Sequence, residues 1–138
     1  MPTSRPLPVL RADRLRRVPR SFAWIDHRLR SWGCLEKLSP AEIGLYLYLV
    51  LAADRQGLSC WRLERIERQM PCFDLAALHA ARKRLVDAEL IAFRAWSRGS
   101  SDGVYQVLSM PGRAASTRRR GGIVSIGEAL SEFIKEDR

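Results

Sequence analysis

The residues best equipped for chemistry are arginines, and the tightest group is Arg82-Lys83-Arg84, just after His79 and the small residues Ala76, Ala77 and Ala80. A guanidinium is planar and can donate two parallel hydrogen bonds to a phosphate or a guanine edge, whereas an ammonium attracts phosphate as a point charge. More arginines stand at Arg94 and Arg98, and at Arg5, Arg11, Arg14, Arg16, Arg17 and Arg20. A third group is Arg113, Arg118, Arg119 and Arg120. The 138 residues carry 24 Lys+Arg against 15 Asp+Glu, a net charge of +9. Such an excess implies a polyanionic partner or an anionic surface.

Catalytic groupings are sparse. His27 and His79 are the only histidines, and Cys34, Cys60 and Cys72 are scattered without a C-x-x-C pair. A zinc site would need three distant segments to converge. The cysteines read instead as reduced thiols of a cytosolic protein. There is no glycine-rich phosphate loop and no acidic pair suited to Mg²⁺. The sequence therefore predicts no enzyme, no metal and no cofactor. The apolar run 43–53 falls well short of the ~20 residues that a membrane span needs. No apolar stretch with a cleavage site follows the N-terminal arginines, so neither a span nor a signal peptide is expected.

These cations need elements to hold them. Residues 1–20 read as a basic flexible arm, because Pro2, Pro6, Pro8 and Pro19 break regular structure. Ser21 can cap a short helix in which Phe22, Ile25, Leu29 and Trp32 form an inward stripe and Gly33 is the stop. Ser39-Pro40-Ala41-Glu42 is a strong helix start. The run 43–51 after it is apolar on nearly every side, which predicts a central helix buried on several sides. Residues 54–57 form a turn, and 58–60 can be a short edge strand. A helix starting at Ser59 or Cys60 runs to about Met70, with Leu63, Ile66 and Met70 inward and a charged outer face.

Pro71-Cys72-Phe73 turns the chain, and Asp74 caps a third helix. Its inward side is Leu75, Leu78, Ala81, Leu85 and Leu90, leaving His79, Arg82, Lys83 and Arg84 outside or at the flank. Residues 91–96 and 104–108 alternate as two strands around a tip bearing Arg98, Gly99 and Gly103. Residues 111–122 are a basic linker. In 123–138, Ser125 and Glu128 match a capping box, and Ile126, Leu130, Phe133 and Ile134 share one helical face. Such a stripe needs a surface to bury it: its own domain, a second copy or another protein.

The order of elements over 21–110 is that of a winged helix-turn-helix. The expected fold is mainly α with a small β-hairpin wing (α+β), flanked by the basic arm and the C-terminal amphipathic helix. "LSPAEIGLYLYLVLAADRQGLSCW", "ALHAARKRLVDAELIAFR" and "GVYQVL" resemble bacterial winged-helix DNA-binding modules. They are nearest in look to the helix-turn-helix region of plasmid and phage replication initiators. "VPRSFAWIDHRL" resembles the lead-in of such proteins, so the likeness spans roughly 18–108. It implies a double-stranded DNA partner. Two departures stand out. The turn lacks a glycine, and Ala76, Ala77 and Ala80 occupy positions that usually carry Ser, Thr, Asn or Gln.

The expectation is a non-enzymatic, bacterial-type DNA binder, cytoplasmic and nucleoid-associated, acting in replication, transposition or transcription. Arg82, Lys83 and Arg84 would meet phosphates or guanine edges, with His79 as a base contact. Arg94 and Arg98 would clamp from the wing. Arg14, Arg16, Arg17 and Arg20, and the linker's Arg118, Arg119 and Arg120, would lie on flanking backbone. The alternative is an adaptor that joins DNA to a larger enzyme or a second copy through Ile126, Leu130, Phe133 and Ile134.

Overall fold

The computed structural model describes residues 5–100 and 102–110. Within them lie four α-helices and a three-stranded antiparallel sheet, an α+β architecture. In chain order these are α1 (Arg28–Ser31), α2 (Pro40–Ala52), β1 (Leu58–Trp61), α3 (Leu63–Gln69), α4 (Leu75–Asp87), β2 (Ile91–Ala95) and β3 (Gly103–Val107). The sheet order is β1-β3-β2, so the first strand pairs with the last and the hairpin β2–β3 is joined to the helical layer. The segments expected as linker and amphipathic helix, 111–122 and 123–138, with Arg118, Arg119, Arg120, Ile126, Leu130, Phe133 and Ile134, lie outside the described residues.

Local signals start the long helices. Ser39 Oγ accepts the Glu42 N–H at 3.3 Å, and Pro40 occupies the first turn of α2. Glu42 does not return a bond to the Ser39 backbone; its carboxylate accepts the Ser39 hydroxyl instead. At α4, Asp74 Oδ1 accepts the Ala77 N–H at 2.7 Å. Gly57 takes a φ of +85° in the turn before β1, and a Cβ there would strike the carbonyl of Val107. The turn Met70–Asp74 is fastened by Phe73, whose ring lies over Gly44; a Cβ at Gly44 would meet it at 2.5 Å.

The core lies between α2, α3, α4 and the inner sheet face. Leu45, Leu49, Leu63, Ile66, Leu78, Leu85, Ile91 and Tyr105 are all but fully buried. Each such side chain contributes about 2 kcal/mol by leaving water.

Four sequence expectations change. The helix expected from Ser21 exists only as the single turn α1, and Phe22, Trp24 and Ile25 are exposed. Asp26 is the physical reason. Its carboxylate takes the Arg28 N–H at 2.9 Å and the Arg28 guanidinium at 2.7 Å, which fixes the helix start at that point. The helix expected to begin at Ser59 or Cys60 begins at Leu63, because 58–61 pair with β3. The arm contains one 3-10 turn, Ala12–Arg14, beside an Arg11–Asp13 ion pair at 2.7 Å. Finally, α2 is open along one side: Ile43, Leu47 and Leu51 are 39%, 45% and 66% exposed.

Candidate nucleic-acid interface

On α4, Leu78, Ala81 and Leu85 are buried, so the opposite side faces out. That outer ridge carries Ala76, His79, Ala80, Lys83 and Asp87, all exposed. Lys83 makes no ion pair among the described residues. The alanines keep the ridge low, so a partner can approach the helix backbone closely.

The two flanking arginines behave differently. Arg82 leans toward the sheet. Its guanidinium stacks 4.1 Å above the Phe93 ring and donates to the Tyr105 hydroxyl at 3.3 Å and to His79 Nδ1 at 3.2 Å. A guanidinium has no acceptor, so Nδ1 accepts and the His79 proton sits on Nε2. The Tyr105 hydroxyl is pushed up from its ordinary pKa by burial, and Arg82 opposes that rise. Arg84 leans the other way, toward α2. Its Nε is 3.7 Å from the buried Glu42 carboxylate, while 65% of its side chain stays exposed. The sequence places all three cations together. The structure leaves Lys83 on the ridge, spends much of Arg82 on packing, and sets Arg84 beside an acid.

The β2–β3 hairpin divides its arginines too. Along β2, Phe93 points inward at Tyr105, with ring centroids 4.8 Å apart. Strand alternation then puts Arg94 on the outer sheet face with Leu58, Ala92, Val104, Gln106 and Trp96. Arg94 is therefore not brought together with the α4 cations. Arg98 is exposed at the tip beside Gly99, whose φ is +79°. Arg14, Arg16, Arg17 and Arg20 are exposed along the arm.

Sequence reading missed the groups that brace the sheet. Asp102 accepts from Arg62 Nε at 2.6 Å, linking the hairpin to the start of α3. Arg65 stacks 5.7 Å over the Trp61 ring, and the Trp96 indole N–H donates to Cys60 Sγ at 3.2 Å. The Arg62–Asp102 pair spans 40 residues and the Cys60–Trp96 pair spans 36, and no local pattern announces either.

Among the described residues no group of three or more His, Cys, Asp and Glu side chains could hold a metal ion, and no helix is long and apolar enough to cross a membrane. No protein-family model, curated protein or solved structure matches the chain.

Proposed function

We propose that this chain is a non-enzymatic, bacterial-type protein that binds double-stranded DNA through a winged helix-turn-helix. In that reading α3 and α4 are the helix-turn-helix, β2–β3 is the wing, and the role is accessory to replication, a mobile element or transcription. The observation that carries it is the outer ridge of α4, with the low alanines Ala76 and Ala80 beside exposed Lys83 and His79. A ridge of that relief fits a major groove, with Lys83 reaching phosphate and His79 offering the Nε2 proton to an acceptor. Arg84, Arg98 and the arm's Arg14, Arg16, Arg17 and Arg20 supply backbone contacts. Arg82 acts mainly by holding α4 to the sheet.

Titration of a random duplex at several salt concentrations tests the reading. Each neutralised phosphate adds about 0.9 to the negative slope of log affinity against log salt. A slope of several units is expected, and an affinity independent of salt would exclude this interface. A second reading, the adaptor, is favoured by the alanines on the α4 ridge, whose side chains offer no hydrogen bond to bases. Under it the chain retains duplex affinity but shows no sequence preference in selection from random duplexes.

A further inference from the structure

We infer that residues 123–138 dock as an amphipathic helix on the open side of α2, along Ile43, Leu47 and Leu51. The surface is unusual because it carries no charge. The one charged residue of α2, Glu42, is turned inward to Ser39 and Arg84. What remains toward solvent is an apolar stripe spaced four residues apart, about 12 Å long at 1.5 Å per residue.

Three observations choose the occupant. Ile126, Leu130 and Ile134 repeat the same four-residue spacing, with Phe133 beside them, so the two stripes have equal length. Two ridges of that spacing interdigitate in the commonest mode of helix packing. Reach is ample. Met110 is buried in the core, and Ile126 follows it by 16 residues. At ~3.3 Å per residue the tether spans about 50 Å, more than a small domain's width of about 30 Å.

Area decides the rest. Three partly open side chains offer far less than the roughly 800 Å² per side that a free partner needs. A tethered segment meets the patch at an effective concentration of around millimolar, so a small patch suffices. The outer sheet face is a poorer seat, since Arg94 and Gln106 would be stripped of water there.

A cross-link tests the contact in the full chain. Cys34, Cys60 and Cys72 are replaced by Ser, and Leu47→Cys is combined with Leu130→Cys. These are the middle residues of the two stripes, so they face each other whichever way the helix runs. Mild oxidation is expected to give an intramolecular disulfide at least about tenfold faster than a Val104→Cys/Leu130→Cys pair on the outer sheet face. A disulfide-linked dimer would assign the face to a second copy and overturn the inference, as would a rate no faster than the control pair. Hydrogen exchange in the otherwise unaltered chain gives an independent reading. Amides of 123–138 are expected to exchange more slowly than in Leu47→Asp, a change at a half-exposed position. Equal exchange in the two proteins would overturn the inference.

Discussion

The Arg82 guanidinium lies 4.1 Å above the ring of Phe93, so a cation of α4 is spent on joining that helix to β2. The same group donates to Tyr105 on β3. Arg82 and Lys83 are adjacent in sequence yet have different tasks, and their substitutions should separate.

Arg82→Ala is expected to cost about 1–2 kcal/mol of stability, from one stacked cation and one hydrogen bond. Lys83→Ala should lie within about 0.5 kcal/mol of the parent, as exposed substitutions do, while weakening duplex binding. Thermal unfolding and a salt titration on both variants make the comparison. Equal stability losses would mean that Arg82 does not brace the sheet.

Under the proposed function, Glu42 competes with phosphate for Arg84. Glu42→Gln keeps an oxygen for the Ser39 hydroxyl but removes the charge 3.7 Å from Arg84. Duplex affinity should rise about twofold to threefold, the scale of a partly exposed pair. Arg84→Ala in the same background should abolish the gain. An affinity unmoved by Glu42→Gln would show that the carboxylate exerts no hold on Arg84.

Asp26 gives the start of α1 a pH dependence. The Arg28 guanidinium, then the Arg28 backbone N–H, pull its carboxyl down to about 2. A depressed carboxylate contributes stability that is fully present above its unfolded value near 3.8 and is lost as pH falls toward 2. The turn should therefore hold at pH 5 and loosen between about 4 and 2. A carboxyl resonance followed by NMR checks this, and Asp26→Asn should remove the transition. A midpoint near 4 would show that the contact with Arg28 is absent in solution.

Tyr48 illustrates an internal cost. Its hydroxyl is buried without a hydrogen-bond partner among the described residues, and its ring is edge-on to Trp61 at a separation of 5.0 Å. Tyr48→Phe removes the stranded oxygen and keeps the ring, so stability should hold or rise by about 1 kcal/mol. Denaturant unfolding reads it, and a loss above 1 kcal/mol would reveal a partner for the hydroxyl, such as a held water.

Much of this fold was legible because its signals are local. Ser39 with Pro40 and Asp74 mark the two long helices within four residues of their starts, and the alternation of 104–107 marks β3. What escaped depends on distance. Residues 59–61 look free to begin a helix until β3 claims them, with Ser59 opposite Tyr105. The stripe of Phe22, Ile25 and Leu29 has helical spacing, but Asp26 interrupts it by capturing Arg28. For the candidate interface, the sequence groups three neighbouring cations that the structure sends to different surroundings. Arg82 meets Tyr105 across 23 positions, and Arg84 meets Glu42 on another helix. Charge counts cannot reveal which cations are already engaged.

Phe73 resting over Gly44 also constrains how this scaffold can diversify. Lengthening the 70–74 connection would lift the ring from its seat and misalign the two helices it joins. Insertions should be tolerated instead at the hairpin tip around Gly99, where an added methyl group meets nothing within 4 Å. Under the proposed function, new specificities would then arise by exchanging side chains on a helix of unchanged placement and by reshaping the tip.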